Sequence, residues 1–219
     1  MKEANSMNET IINVRKALEK NNMAVHYAEN SEEVISIVKS LINKGDTVSC
    51  GGSVTLADTG VDKLLKNGEY NFLDRSVPNL TVEQINDIYT KTFAADAFFC
   101  SANAVTEQGE LVNVDGRSNR VAALLFGPKK VVCIVGINKI VADIPAAFER
   151  IKRVAAPLNT KRLSKNTPCF HSGQCVRAVG GIAEGCHCDD RICSNYVISA
   201  HQTVKNRINV IICNETLGY

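Results

Sequence analysis

Two short, continuously apolar runs constrain the fold of this chain more than any other feature. They are Ala97-Phe98-Phe99-Cys100 and Val131-Val132-Cys133-Ile134-Val135. A strand without polar alternation has to be covered on both faces. That places both runs in the middle of a parallel sheet sandwiched between helices.

The flanking patterns fit that frame. Ile11, Ile12, Val14, Leu18 and Met23 mark an amphipathic first helix running into a short apolar segment. Asn30 with Glu33 three residues on reads as a helix start, and Val34, Ile37, Val38, Leu41 and Ile42 follow at helical spacing. Gly45 is expected at the helix C-terminus. Residues 47–50 form a strand, followed by Gly51-Gly52-Ser53 and a helical stretch to Lys66; residues 70–73 are a further strand candidate. Thr81 and Gln84 make a capping box for a helix that buries Val82, Ile85, Ile88, Tyr89 and Phe93. Residues 103–112 read as an extended segment or a hairpin, and 119–126 and 144–154 as helices. After Pro157 the chain becomes poor in apolar residues and rich in Gly, Lys and Cys, and strand patterns return at 195–199 and 208–212. The expectation is one α/β domain over residues 1–219. Its sheet is mainly parallel and flanked by helices, with 47–50, 97–100 and 131–135 as neighbouring strands, and residues 159–193 form a cysteine-rich excursion.

Composition excludes several classes. With 219 residues, 45% of them hydrophobic, the chain can bury a core without staples, and a net charge of +2 offers no bulk attraction to nucleic acid. No run approaches the length of a membrane span, so no membrane association is expected. The opening MKEANSMNET has no basic segment followed by an apolar one, and the expected location is the cytoplasm. One stretch is charged unevenly. Arg150, Lys152, Arg153, Lys161, Arg162, Lys165 and Arg177 come without an acidic residue among them. They form either a solvated face or a surface for anionic ligands.

Five of nine cysteines fall in the excursion as C-x5-C-x10-C-x-C-x4-C: Cys169, Cys175, Cys186, Cys188 and Cys193. In a reducing compartment such a cluster holds metal or reacts. An iron–sulfur cluster is favoured, because paired C-x2-C knuckles of a zinc ribbon are missing; structural zinc and free or redox-active thiols are the alternatives. His171 and His187 lie inside the cluster as further ligand candidates. Cys50, Cys100, Cys133 and Cys213 read as core residues.

Ligands of open α/β sheets bind beyond the carboxyl ends of the strands. Gly51, Gly52, Ser53 and Thr55 follow one strand end and suit a phosphate or carboxylate, although the lysine of a Walker loop and the third glycine of a dinucleotide fingerprint are missing. Glu107, past an apolar segment, is a candidate general base or nucleophile. Asn119 is a candidate N-cap, and Arg120 in the first turn needs an anionic partner. The expectation is that Gly51, Gly52, Ser53, Glu107, Asn119 and Arg120 converge on one pocket.

The run NAVTEQGELVNVDGRSNRVAALLFGPKKVVCIVGINKIV, with the GGSVT loop, resembles the LUD-domain family, the YkgG/LutC-like lactate-utilisation proteins. The resemblance covers roughly residues 8–154. It implies a fold like that of ribose-5-phosphate isomerase, glucosamine-6-phosphate deaminase and CoA transferases. It also implies a role in oxidising L-lactate beside iron–sulfur proteins, and Lys139 matches a position seen in the family. Some members end in TPC-x5-C-x2-C-x6-C. Thr167-Pro168-Cys169, Cys175, Cys186 and Cys193 match it, except that the middle gap is x10 rather than x2 and Cys188 is extra. The resemblance therefore implies one [4Fe–4S]-type centre on Cys169, Cys175, Cys186 and Cys193, with Cys188 as a spare ligand. The implied partners are a small anionic substrate and a redox protein, with a homo-oligomer left open. The rival readings are an isomerase or acyl/CoA transferase using Glu107, and a zinc-stabilised adaptor.

Overall fold

Start and stop signals in the sequence set the elements of the computed structural model, which describes residues 2–219 and the side chains from Glu9 onward. Met1 and the side chains of the opening segment lie outside the described residues. Helix α1 (Lys2–Lys20) leads into β1 (Ala24–Ala28). Asn30 accepts from the Glu33 N–H at 3.0 Å and opens α2 (Ser31–Leu41). After β2 (Thr47–Cys50), Gly60 at φ +71° divides the helical stretch into α3 (Val54–Asp58) and α4 (Val61–Leu65). β3 (Asn71–Phe72) precedes α5 (Val82–Thr92), whose Thr81–Gln84 capping box is closed in both directions. β4 (Ala97–Cys100), the hairpin β5 (Ala104–Thr106) and β6 (Leu111–Asp115), α6 (Asn119–Leu125) and β7 (Lys130–Gly136) follow. A 3-10 turn, Ile137–Lys139, leads to β8 (Ile140–Val141) and α7 (Ile144–Arg150). A π-helical stretch, Ile151–Ala155, joins α7 to α8 (Ala156–Arg162), and α9 (Pro168–Ser172), β9 (Asn195–Ser199) and β10 (Ile208–Cys213) complete the chain.

The main sheet has six strands in the order β1-β10-β7-β4-β2-β3, and every pairing is parallel. The three strands expected to be neighbours are adjacent as β2, β4 and β7. Alternate residues of β7 serve opposite cores. Val131, Cys133 and Val135 pack with Val14 and Leu18 of α1 and Leu124 of α6, whereas Val132 and Ile134 pack with Val34 and Val38 of α2 and Leu65 of α4. This two-sided burial is why both runs are apolar throughout.

The structure departs from the sequence reading in several places. A second sheet, β8-β5-β6-β9, stands beside the first, and α7 packs on it through Ala147 and Phe148, followed by Ile151 of the π-helical stretch. Gly45 does not terminate α2: the cap is Ile42 in an extended conformation, and Gly45 sits in the following turn at φ +86°. In α5, Val82 and Phe93 are exposed, because the helix meets the sheet through Thr92, whose hydroxyl lies 2.8 Å from that of Ser49. Pro157 does not end the helical region. It has no N–H for the carbonyl four residues back, and the π-helical widening just before it absorbs the mismatch. Residues 159–162 are therefore helical, and the irregular excursion begins after α8. Cys100, Cys133 and Cys213 are buried as expected, whereas Cys50 is only half-buried. Among the described residues, no helix is long and apolar enough to cross a membrane.

Candidate functional site

A cleft of about 310 Å³ opens beyond the carboxyl ends of β2, β4 and β7. Parallel strands end there together, so the loops that follow them converge. Gly52, Ser53 and Thr55 come from the loop after β2 and the start of α3. Ser101, Ala102 and Asn103 follow β4, and Lys139 lies in the turn after β7. Asp115 at the end of β6, Arg117, Asn119 and Arg120 form one wall, and Arg75, Asn159, Arg162, Lys165, Ile192 and Tyr219 also line the cleft.

Six of the expected site residues gather here: Gly52, Ser53, Thr55, Asn119, Arg120 and Lys139. Gly51 lies just behind, with the Arg120 side chain 3.3 Å from where a Cβ would stand, so a larger residue would press on that arginine. Glu107 does not join them. β5 starts just after Asn103 at the cleft and runs away from it, and Glu107 sits exposed past its far end, bonded through its N–H to the Val141 carbonyl. Next to it, Asn21 at the end of α1 donates to the carbonyls of Gln108 and Gly109. Glu107 is a turn residue outside this cleft.

Arg120 has the carboxylate partner that its first-turn position called for, in Asp115. Its Nε donates to Asp115 at 3.1 Å, Nη1 to the Ser101 carbonyl and Asn113 Oδ1, and Nη2 to Asn103 Oδ1 and the Val114 carbonyl. All five N–H groups of the guanidinium are engaged, so it clamps the two sheets together and contributes charge to the cleft rather than a free fork. Asn119 is not the N-cap of α6. That place belongs to Ser118, in the left-handed conformation at φ +62° with no side-chain bond, and Asp115 Oδ2 instead accepts from the Val121 N–H at 3.0 Å.

Lys139 lies in the turn after a strand, where lysines are ordinarily exposed, yet it is only 3% exposed. Its Nζ donates to Thr55 Oγ1 at 2.8 Å and Ser101 Oγ at 3.0 Å. Burial, with Arg150 and Arg120 nearby, lowers its pKa to about 7; Asp58 and Cys133 pull the other way without offsetting this. Arg150 donates to the carbonyls of Asn138 and Asn103, and its burial lowers its own pKa. The acid-free basic run is thus not a plain solvated face: Arg150 and Lys152 are buried or half-buried, and Arg162 and Lys165 line the cleft. Arg75, which bonds Tyr89 at 2.9 Å, carried no signal in the sequence.

The cysteines of the excursion are not assembled around a point. The Cys186 and Cys188 sulfurs are 3.2 Å apart, and Cys169 Sγ contacts the hydroxyls of Thr167 and Thr160 at 3.2 and 3.7 Å. Burial raises the pKa of Cys193 and of Cys188, the latter also through Cys186. Among the described residues no three His, Cys, Asp or Glu side chains are grouped to hold a metal ion. As arranged, Cys169, Cys175, Cys186 and Cys193 do not fit one four-thiolate centre. The long x10 gap spreads them: Cys169 lies on α9, while Cys193 follows the loop that Arg191 ties through the carbonyls of Ala183, Cys186 and Cys193. His171 bonds Asn166 instead of facing a thiol.

A model of the LUD domain matches residues 11–213. The chain belongs to the LUD-domain family. The match extends past the resemblance read in the sequence, through the excursion to the last strand, so the LUD domain includes β9 and β10. No curated protein matches the chain. Among solved structures, a DUF162 family protein from Deinococcus radiodurans is similar over 95% of this chain and 98% of its own, at 14% identity and a TM-score of 0.48. eIF2B beta from Chaetomium thermophilum is similar over 52% of this chain and 44% of its own, at 17% identity and a TM-score of 0.34. Ribose 5 phosphate isomerase A from Neisseria gonorrhoeae is similar over 52% of each chain, at 12% identity and a TM-score of 0.32.

Proposed function

We propose that this LUD domain is a lactate-utilisation-type protein whose cleft binds a small anionic molecule carrying a carboxylate or a phosphate. One observation carries the reading. The lining holds six basic side chains, Arg75, Arg117, Arg120, Lys139, Arg162 and Lys165, against a single acidic one, Asp115, which Arg120 already engages. A concave site with such an excess of one sign concentrates the opposite charge. The half-enclosed volume suits a molecule of a few heavy atoms better than a polymer.

The test is calorimetric titration with L-lactate, pyruvate and inorganic phosphate, each against an uncharged amide isostere. At least one anion is expected to bind, and Arg162→Gln to weaken it by roughly tenfold, as for loss of one charge-assisted hydrogen bond. Equal heats for anion and amide would overturn the reading.

The proposal extends to an iron–sulfur cluster on the excursion, in a cytoplasmic setting with a redox protein as partner. The cysteine pattern and an odd thiol count support it. Because the thiols do not fit one centre as they stand, loading requires the segment between Cys175 and Cys186 to move. Iron and acid-labile sulfide analysis after anaerobic purification, repeated on Cys186→Ala, checks this. Absence of both iron and sulfide from the native protein would refute it.

A further inference from the structure

We infer that Lys139 is a covalent nucleophile, and that the ligand of the cleft is a small 2-oxo carboxylate that forms an imine with its side-chain nitrogen. The inference rests on the reading of the cleft as an anion site and adds the functional group that the anion must carry.

The hydrogen bonds around Nζ leave one of its positions open to the cleft. The Thr55 hydroxyl donates to the Leu217 carbonyl, and the Ser101 hydroxyl donates to the Ala102 carbonyl, each at 3.3 Å. Both hydroxyl hydrogens are committed, so both oxygens can only accept, and both accept from Lys139. Two acceptors take up both N–H groups of a neutral amine and leave its lone pair to the cleft, whereas an ammonium would turn a third N–H into a space already lined by arginines. No acidic side chain forms an ion pair with Lys139 among the described residues. The charged groups that face it are Arg150 from α7, Arg120 from α6 and Asp58 from α3, together with the Cys133 thiol of β7. The arginines oppose a second cation at Nζ.

A neutral amine beside a cationic cleft suits an electrophilic carbon bonded to a carboxylate. The lone pair attacks the carbonyl carbon and a C–N bond forms. A proton passes from nitrogen to the former carbonyl oxygen. The C–O bond then breaks, and the oxygen leaves as water with the second amine hydrogen. No oxidant or reductant is consumed. Arg75 and Arg162, whose guanidinium nitrogens lie 3.1 and 3.6 Å from where a Gly52 Cβ would stand, are placed to hold the carboxylate.

The experiment treats the full chain with pyruvate and sodium borohydride and maps the products by peptide mass spectrometry. A 1-carboxyethyl group on Lys139 is expected, in large excess over every other lysine. At neutral pH an amine titrating near 7 is neutral roughly a thousandfold more often than an ordinary lysine. The rate should rise through pH 7 and then level off. Lys139→Met carries no amine and should abolish the product, and Lys44→Arg, at an exposed lysine outside the cleft, should leave it in place. Titration with L-lactate, which has no carbonyl, runs in parallel. Binding of L-lactate without modification of Lys139 would overturn this inference and leave the anion-site reading standing. Modification spread evenly over surface lysines would overturn the inference too, and absence of both binding and modification would end both.

Discussion

Burial of Lys139 makes stability depend on pH in a window that can be named. Its pKa falls from 10.5 in the open chain to about 7 in the fold. Between those values the unfolded chain holds the proton and the folded one does not, so stability rises with pH across that window. Below pH 7 both states are protonated and the full cost of a buried charge remains. Lys139→Met removes that cost. The variant should be more stable than the parent by about 5 kcal/mol at pH 6, with the difference vanishing towards pH 10. Urea unfolding at both pH values checks this; a constant difference would show that Lys139 is not the titrating group. At this scale the sequence was readable where chemistry is local and opaque where it is tertiary. The glycines, Ser53 and Thr55 of the loop after β2 announced a strand-end site. Nothing near Lys139 in the chain told of Thr55 and Ser101, 84 and 38 residues away. Glu107 misled for the same reason, since the direction of β5 decides which end of the strand faces the cleft.

Elements followed the sequence wherever their signals were strong. The capping residues Asn30 and Thr81 act within three residues of themselves, and the apolar runs of β4 and β7 report two-sided burial directly. The second sheet left little trace because β5 and β8 span only three and two residues, too short for any period. Its hairpin is instead held by a backbone contact. Gly109 adopts φ +80°, and a Cβ there would lie 2.6 Å from the backbone of Ala17 and Leu18 in α1. Gly109→Ala combines a disfavoured conformation with a clash that no side-chain rotation relieves. It should destabilise the protein by about 2 kcal/mol or more, seen as a lower urea midpoint. Gly45 also has a positive φ but nothing within 4 Å, so Gly45→Ala should cost only the conformational part, about 1 kcal/mol. Equal losses at the two sites would show that the approach of α1 to the hairpin is not constraining.

At the scale of the molecule, the order of the chain and the order of the sheet disagree, and that makes the excursion a loop rather than a tail. β10 comes last in sequence yet sits between β1 and β7, paired along its length on both sides. Ile208, Val210, Ile211, Ile212 and Cys213 are buried in the two main cores. β9 is paired with β6, the strand that carries Asp115 to the cleft. The excursion between α9 and β9 is joined to the rest by few bonds. Lys165 and the Asn166 N–H hold Asp190, and Lys152 donates to the Gly181 carbonyl. Arg177 and Val179 stand exposed between these ties. Brief trypsin treatment should therefore cut after Arg177 before it cuts within the sheet. The two pieces should elute together under native conditions and melt cooperatively within a few degrees of the intact protein, because the cut removes no strand and leaves both cores filled. A chain ending at Arg177 should fail to fold when expressed alone. Without β10 the edges of β1 and β7 lose their hydrogen-bond partner, and loss of several buried aliphatic side chains, each worth about 1.5–3 kcal/mol, exceeds the stability of an ordinary domain. Separation of the 178–219 piece from the nicked protein without denaturant would show that β10 is not locked into the centre of the sheet.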